Sequence, residues 1–495
     1  MSNTAKEPKI TPAMRQFHDF KEKFPDCVLF FRMGDFYEML HQDAILANKV
    51  LGVTLTQRTK GVPMAGVPYH AVESYMNRMV RAGYRVAYCD QVEDASKAKG
   101  VVKRDVTRII TPGTLTDENL LEDGQVNPLA AIQIHKDQRA SCAWVELSTG
   151  IFHLATFELH ELADELARIA PSELLYEQKR NEVEVPALLE KLKQSLGCTL
   201  TARPGWEFRH DDAREMLHRQ YDVRTLEGFG FPDKDIAIGV AGGVLAYLLE
   251  TQRTDATRLE VSTATPGKIR HLLPPVRFER KRYLTVDQVS LRSLEVERTI
   301  RSESTSHCLV AVMQSCVTAM GKRQLRHWLC YPLCDKAAIW QRQELVQVLV
   351  DDSRFLDQLR EALDQIQDIQ RITGRIAVGR ATPRDLVGLG HSASQILKLS
   401  QLLDQRPSVK TYHQQLGEIH DALATLGKLI TQTCVDAPPA HLRNGGLICD
   451  GIDELLDECR SLKSDSKAWL ANYQKQLIQE TGIPSLKVGY NRVHG

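Results

Sequence analysis

Apolar residues in the first 120 positions recur at two different spacings, and each spacing predicts a different element. Continuous or alternating apolar runs predict strands, whereas apolar residues three and four positions apart predict helices. The segment Thr111-Pro112-Gly113-Thr114 ends the pattern, as proline and glycine usually do. Residues 1–120 are therefore predicted to form a small mixed α/β domain, with helices over 11–23, 36–50 and 71–82 and strands over 27–33, 84–89 and 106–111.

The following segment, residues 127–265, begins with three strand-like runs and continues into a helix. This order of elements predicts a second α/β domain. Its predicted strands cover 129–134, 141–147, 151–157 and 173–176, and its predicted helix covers 159–169.

The rest of the chain changes character after a linker rich in proline and basic residues over 266–283. Apolar residues beyond position 286 recur at helical spacing almost throughout, so residues 266–455 are predicted to be mainly α-helical, with helices that include 286–304, 320–330, 335–349 and 353–364. In the last part, residues 456–495, the final helix is followed by an alternation of Leu486, Val488 and Tyr490 that predicts a strand.

The candidate chemistry lies in Gly34-Asp35-Phe36-Tyr37-Glu38, directly after the first apolar strand. Asp35 is a favourable helix N-cap, and Glu38 follows at the spacing of a capping box. At helical period Tyr37 falls inside an apolar stripe, which predicts burial, whereas Phe36 falls at the edge of the stripe and is predicted to project outward. The other members of the stripe are Leu40, Ala44, Ala47 and Leu51.

A projecting phenylalanine can wedge between DNA base pairs, and a mispaired or unpaired base costs less to disturb than a sound one. Phosphates repel a carboxylate such as Glu38, and its presence is tolerable if it accepts a hydrogen bond from a displaced base. The alternative is that Phe36 is half-buried and Glu38 only caps the helix. These few residues alone favour that alternative, because short motifs match freely, and Glu38 could serve both purposes.

Composition narrows the classes of function. The 495 residues exceed one ordinary core, so three or four domains are expected. A formal net charge of zero argues against a protein that simply coats DNA with positive charge, although local basic patches stay possible. The 11 cysteines, without a C-x-x-C pair, indicate a reduced, cytoplasmic setting. No apolar run resembles a signal peptide or a membrane span.

Two metal-dependent alternatives find little support in the sequence. His327, Cys330 and Cys334 have ligand-like spacing, but Pro332 interrupts them and no second ligand pair follows, so a buried cluster without metal is expected. A nuclease built on the second α/β domain would need clustered carboxylates. Its first strand, 129–134, has no acidic residue, and Glu146 alone does not make such a site, so this domain is expected to be structural or a surface for partners.

Several blocks in order along the chain resemble the MutS family of DNA mismatch-repair proteins. In the first 120 residues they are Thr11-Pro12-Ala13-Met14, Arg32-Met33-Gly34-Asp35-Phe36-Tyr37-Glu38 and the segment from Pro63 to Glu73. In the helical part they are Met320-Gly321-Lys322-Arg323, Trp328-Leu329, Pro332-Leu333 and Ala381-Thr382-Pro383-Arg384-Asp385-Leu386. An ordered set of motifs is far more specific than any single one, and with it the outward-facing interpretation of Phe36 is favoured.

The resemblance implies a multidomain chain of the α/β plus mainly α class, with four domains. They are a mismatch-recognition domain (1–120), an RNase-H-like connector (127–265), a long-helix core/lever domain (266–455) and the start of a β clamp (456–495) that is cut short. It also implies that Phe36 stacks on the mismatched base and Glu38 hydrogen-bonds that base. Basic residues of the first domain are candidate contacts to the DNA backbone, although each could equally be a solvated surface charge: Arg58 and Lys60 in the polar segment 56–61, predicted as a loop, and Arg108. The resemblance of the last residues to the start of the clamp strands adds Lys487, Asn491 and Arg492.

The family couples recognition to ATP and Mg²⁺ in a C-terminal P-loop ATPase, but the pattern G-x-x-x-x-G-K-[ST] does not occur in this sequence. No enzymatic activity, cofactor or metal is therefore expected of this chain itself. The resemblance implies mismatched double-stranded DNA, a second copy of the chain and a MutL-type protein as partners. The alternative function is a scaffold that binds DNA junctions without mismatch specificity; relatives of that kind generally lack the Phe-x-Glu pair, so Phe36 and Glu38 argue against it.

Overall fold

A computed structural model describes residues 11–59, 61–93, 100–116, 121–178, 185–252, 268–409, 421–464 and 466–488. The chain divides into two compact units, Met1–Ala381 and Thr382–Gly495. The first unit contains two mixed six-stranded sheets and many helices, and the described part of the second is helical.

The first sheet is built from the N-terminal residues. Its strands are β1 (Cys27–Met33), β2 (Phe36–Leu40), β3 (Thr56–Thr59), β4 (Val62–Pro68), β5 (Arg85–Gln91) and β6 (Arg104–Ile110). They lie side by side in the order β3-β4-β2-β1-β5-β6. Only the pair β1–β5 is parallel, and the other neighbours are antiparallel. The apolar strand β1 lies near the middle, which explains why its first five residues are buried.

Helices cover both faces of this sheet. Helix α1 (Pro12–Lys23) packs on one face through Phe17 and Phe20, beside Leu29, Phe31 and Leu40 of the strands. Helices α2 (Gln42–Leu51) and α3 (Val72–Arg81) cover the other face. The predicted helices over 11–23 and 71–82 and strands over 27–33, 84–89 and 106–111 are confirmed to within a few residues.

The predicted helix over 36–50 is wrong in its first part. Residues Phe36–Leu40 form strand β2, and helix α2 begins only at Gln42. Asp35 is therefore a turn residue and Glu38 is no helix cap. The apolar stripe joined two elements, because Tyr37 and Met39 are buried at strand spacing, whereas Ala44, Ala47 and Leu51 are buried at helical spacing.

The polar segment 56–61, predicted as a loop, contributes a strand. β3 and β4 form an antiparallel hairpin that extends the sheet beyond β2. The register shifts between Gln57 and Thr59, so Arg58 is the extra residue of a β-bulge. This hairpin brings a basic residue to the sheet edge nearest β2.

The second sheet uses β7 (Leu129–Ile134), β8 (Arg139–Glu146), β9 (Ile151–Glu158), β10 (Glu173–Gln178), β11 (Thr199–Pro204) and β12 (Val276–Arg277). Their order is β11-β10-β7-β8-β9-β12. The predicted strands in 127–178 are confirmed, whereas β11 was not predicted. The short β12 lies within the predicted linker and pairs with β9 in parallel.

Helices also cover both faces of the second sheet. α4 (Leu162–Ile169) and α5 (Ala187–Leu196) pack on one face, and α6 (His210–Tyr221) and α7 (Ala237–Thr251) on the other. Helix α7 is apolar on all sides and almost fully buried. Gly242 permits its close contact with α6, since a Cβ there would lie 2.3 Å from that of Ala213.

Short helices complete the first unit: α8 (Gln288–Ser293), α9 (Leu309–Met313), α10 (Ala319–Cys330), α11 (Lys336–Asp351), α12 (Ser353–Asp364) and α13 (Ile369–Ala377). The helix predicted over 286–304 covers only Gln288–Ser293. The predicted helices over 320–330, 335–349 and 353–364 are confirmed. Arg323 of α10 holds Asp368 through two hydrogen bonds of 2.6 and 2.8 Å, which joins α10 to the start of α13.

The second unit contains α14 (Pro383–Asp404), α15 (Asp421–Thr433), α16 (Glu454–Ser464) and α17 (Ser466–Thr481). Thr382 and Asp385 form a capping box with Pro383 in the first turn, so the Thr-Pro-Arg-Asp block fixes the start of α14. The strand predicted after the last helix is not formed over 486–488, where the Val488 amide instead donates to Gln474 of α17. Residues 489–495 lie outside the described residues.

None of the helices in the described ranges is long and apolar enough to cross a membrane. All eleven cysteines are free thiols.

Candidate nucleic-acid interface

Strand β2 places Phe36 and Glu38 on the same face of the first sheet, because alternate residues of a strand point the same way. Phe36 is 48% exposed, whereas Tyr37 between the two is fully buried on the opposite face. The prediction that Tyr37 belongs to the core is confirmed and Phe36 is half-exposed, although a strand and not a helix produces this arrangement.

A two-residue turn fixes the start of β2. Met33 pairs with Phe36 across the β1–β2 hairpin, so Gly34 and Asp35 form the turn. Gly34 has a φ of +59°, which glycine adopts without strain and which two-residue hairpin turns require. The Tyr69 amide donates to the Asp35 carbonyl oxygen at 2.9 Å, and the turn is thereby tied to the end of β4.

A pair of tyrosines anchors β2 from the buried face. The hydroxyl oxygens of Tyr37 and Tyr88 lie 2.5 Å apart, and the rings stack with centroids 4.8 Å apart. Burial raises the pKa of both hydroxyls, so both are protonated at neutral pH. The guanidinium of Arg32 lies over the Tyr37 ring at 5.2 Å and over the half-exposed Tyr69 ring at 4.2 Å. Phe36 therefore stands on a firmly packed support.

The neighbouring strand leaves space between Phe36 and Glu38. Gly66 of β4 pairs with Glu38, and a Cβ at Gly66 would lie 3.8 Å from Phe36 Cδ1 and 3.9 Å from Glu38 Cγ. The two side chains thus flank a position that carries no side chain of its own.

The Glu38 carboxylate forms an ion pair with Arg58 of the bulged strand β3. The side chains are 16% and 31% exposed, so the pair lies at the surface beside Phe36. A second guanidinium, Arg104, lies nearby and is held by the carbonyl oxygens of Arg32 at 2.6 Å and Val102 at 2.9 Å. Burial lowers the pKa of Arg104, and the charge of Glu38 opposes that shift. We call Phe36, Glu38 and Arg58 the recognition edge.

Of the other predicted backbone contacts in the described part of the first unit, Arg108 does not lie at this edge. Arg108 pairs with Tyr88, whose ring packs on Tyr37, so Arg108 lies on the opposite face of the sheet from Phe36 and Glu38. Lys487 is exposed after the last helix of the second unit. Lys60, Asn491 and Arg492 lie outside the described residues.

The carboxylates of the second sheet are satisfied by protein donors. Glu146 accepts from the Asn127 amide at 2.5 Å and the Ser148 hydroxyl at 2.6 Å. Glu173 is fully buried and accepts from Gly113, Thr201 and Tyr247. In the described ranges, no group of three or more His, Cys, Asp or Glu side chains could hold a metal ion, and His327, Cys330 and Cys334 form no such group.

Sequence reasoning missed the partner of Glu38. Arg58 was predicted as a phosphate contact, and its place beside Glu38 depends on a hairpin that was not predicted. A signal was present, since the β-branched Thr56 and Thr59 precede Gly61 and then the apolar Val62, a pattern typical of two strands joined by a tight turn. Nothing in the spacing indicates that the bulge directs Arg58 toward Glu38.

Comparisons with known proteins match this organisation. Models of MutS domain I, MutS domain II and MutS domain III match residues 11–119, 127–260 and 289–482. Similar curated proteins include the DNA mismatch repair protein MutS of Salinibacter ruber, 36% identical over 98% of this chain, and that of Syntrophobacter fumaroxidans, 38% identical over 98%. That of Protochlamydia amoebophila is 36% identical over 99%. The chain spans about half the length of these relatives, 52%, 53% and 55% respectively. With three successive domains matched in the order of the family, the chain belongs to the MutS family.

Proposed function

We propose that this chain recognises mismatched or looped base pairs in double-stranded DNA by inserting Phe36 between bases, as the first step of DNA mismatch repair. The observation that carries the proposal is the half-exposed Phe36 beside Glu38, on a strand whose other face is anchored by the buried Tyr37. An exposed aromatic on a rigid support is the arrangement that wedging requires.

The wedge detects weak stacking and not sequence. Separating a sound base step costs a few kcal/mol, and a mismatched or unpaired base has already lost part of that stabilisation. The Phe36 ring recovers about 1–3 kcal/mol by stacking on the disturbed base. The balance is therefore favourable at a mismatch and unfavourable in a matched duplex.

Glu38 supplies the polar part of the site. Its carboxylate only accepts hydrogen bonds, and a displaced base exposes N–H donors that its partner no longer satisfies. Phosphates repel the same carboxylate, so its presence beside DNA is favourable only where such a donor is available. Glu38 thus adds to the preference for mismatches, because only a displaced base offers it such a donor.

The predicted division of labour belongs to the same proposal. Residues 1–120 recognise the mismatch, 127–265 connect, 266–455 form the core and lever, and 456–495 begin the clamp. For the whole protein, which is about twice this length in the relatives, we propose ATP and Mg²⁺ as cofactors and a MutL-type partner. Two copies would bind around one duplex. Only one of the two Phe36 side chains would insert, because a mismatch lacks two-fold symmetry.

The experiment is a binding titration of the 495-residue chain at one fixed salt concentration, with a one-base loop, a mismatch and the matched duplex. The unchanged chain should prefer the first two by at least about tenfold, and Phe36→Ala should abolish that preference. Trp206→Ala is the matched control, because Trp206 is a similarly exposed aromatic outside the first sheet.

Each outcome distinguishes the candidate functions. Full discrimination by Phe36→Ala would contradict the wedge. Equal binding of the unchanged chain to all three duplexes, together with tight binding to a four-way junction, would favour the scaffold function. Cleavage of DNA on addition of Mg²⁺ would favour a nuclease.

A further inference from the structure

The ion pair between Glu38 and Arg58 has a consequence for recognition, which rests on the function proposed above. A carboxylate already held by a guanidinium must exchange partners before it can accept a hydrogen bond from a DNA base. In the described part of the first unit, the hydrogen-bonded partner of Glu38 is Arg58.

Arg58 is placed to hold Glu38 by the backbone. It is the extra residue of the bulge in β3, and bulges change the direction of a side chain at sheet edges. β3 is the outermost strand of the sheet, so the guanidinium is partly exposed and also accessible to a DNA backbone alongside Phe36. Arg104, another cation near this pair among the described residues, is engaged by main-chain carbonyl groups and by Gln16.

We propose that Arg58 is a positioning and specificity-determining residue that exchanges partners during recognition. On a matched duplex Arg58 stays with Glu38, and this neutralises the carboxylate that the phosphates would otherwise repel. At a mismatch Glu38 accepts a hydrogen bond from the displaced base, and the released guanidinium pairs with a backbone phosphate. One ion pair is broken, and one hydrogen bond and one phosphate contact are formed.

The exchange has a signature that a merely structural ion pair would not produce. Each phosphate contact releases counterions and steepens the dependence of log K on log salt by about 0.9. The mismatch complex should contain one more phosphate contact than the matched complex. The mismatch preference of the unchanged chain should therefore fall by about threefold when salt is raised from about 50 to about 200 mM.

The test measures that preference at both salt concentrations for the unchanged chain, Arg58→Met, Arg58→Lys and Arg139→Met. Met keeps an unbranched stem but cannot pair with either Glu38 or phosphate, so the preference of Arg58→Met should no longer depend on salt and its binding to matched DNA should weaken. Lys can make both contacts and should keep the threefold fall. Arg139→Met removes another exposed ion pair, with Asp137, and should behave as the unchanged chain does.

The outcomes separate this inference from the proposed function. A threefold fall that persists in Arg58→Met, or a salt-independent preference in the unchanged chain, would overturn the exchange while the Phe36 wedge stands. A chain that shows no mismatch preference at either salt concentration would overturn both. Thermal unfolding checks that Arg58→Met is folded, and if it is not, a preference of Arg58→Lys that does not depend on salt still overturns the exchange.

Discussion

The recognition edge and the surroundings of Tyr247 both combine arginine, carboxylate and an aromatic ring, yet they are built in opposite ways. At the edge, Phe36 is half-exposed and the Glu38–Arg58 pair lies at the surface. Tyr247 of α7 is fully buried, and the guanidiniums of Arg85 and Arg203 lie over its ring at 5.3 and 5.0 Å.

The buried group is linked by several hydrogen bonds and ion pairs. Tyr247 donates to Glu173 at 2.5 Å, and Arg203 holds Glu207 at 2.7 Å and Glu250 at 2.5 Å. Arg85, from strand β5 of the first sheet, also pairs with Glu250, at 3.2 Å. These contacts join the first sheet to the second. We call the seven residues that make them the Tyr247 cluster: Asp26, Arg85, Glu173, Arg203, Glu207, Tyr247 and Glu250.

The difference indicates what each group does. Removing Arg203 leaves the buried Glu207 without its partner, which is costly, so the folded state depends on this pair staying intact. Removing a member of the recognition edge exposes little apolar surface and leaves no fully buried charge without a partner. This exposed arrangement is what the proposed binding role requires.

The largest expected effect is in the Tyr247 cluster. Arg203→Met should lower the free energy of unfolding by about 3–5 kcal/mol, because Glu207 is left buried and unpaired. Arg219→Met is the matched control, since Arg219 pairs with Glu215 in helix α6 with side chains 74% and 65% exposed, and it should change stability by less than about 0.5 kcal/mol. Urea unfolding followed by circular dichroism measures both. Equal losses of stability in Arg203→Met and Arg219→Met would contradict the difference between the buried and the exposed ion pair.

A pH effect is expected in the second sheet. Burial lowers the pKa of His153 to about 4, with His327 nearby adding to the shift. A depressed folded pKa means that stability is full above the unfolded value of about 6.5 and falls as pH drops toward 4. The loss should reach up to about 3 kcal/mol. His153→Phe, beside Trp144 and Phe278, should flatten this part of the stability–pH profile. A profile that keeps its slope would contradict the assignment to His153.

The smallest expected effect on stability is at the edge itself. Phe36→Ala should cost less than about 1 kcal/mol, because Phe36 is half-exposed at the start of its strand. Its neighbour Tyr37 points to the opposite face, and Tyr37→Ala should cost about 3–5 kcal/mol because the ring is fully buried and the hydrogen bond to Tyr88 is lost. Thermal unfolding of the pair measures the contrast. A large loss in Phe36→Ala would make Phe36 a core residue.

Much of the architecture around these groups could be predicted from local pattern. The continuous apolar run of β1 and the helical spacing of α1, α3 and α14 each specify their element. β2 was predicted wrongly because Tyr37, Leu40 and Ala44 suit a helix as well as two successive elements. The Gly34-Asp35 turn and the pairing of β2 with β4 decide between these, and that pairing is a non-local contact.

For the recognition edge, the sequence indicated Phe36 and Glu38 but not the geometry that joins them. Their resemblance to a family motif identified the residues, whereas their common face follows from the strand. Arg58 was predicted to contact the DNA backbone only because its segment, 56–61, is basic and polar. Its pairing with Glu38 depends on a one-residue bulge, which periodicity does not reveal. Tyr247 carried no signal beyond its apolar helix, since its partners come from distant segments.

The most direct test of the wedge is the dependence of affinity on ease of unstacking. A series of duplexes of one length, at one fixed salt concentration, would run from a matched G·C-rich step through a matched TA step and a mismatch to a one-base loop. Affinity for the unchanged chain should rise along the series in the order of decreasing stacking stability, and Phe36→Ala should bind all members within about threefold of one another. Affinities that follow base identity instead of stacking stability, or a Phe36→Ala chain that keeps the same rise, would contradict the account.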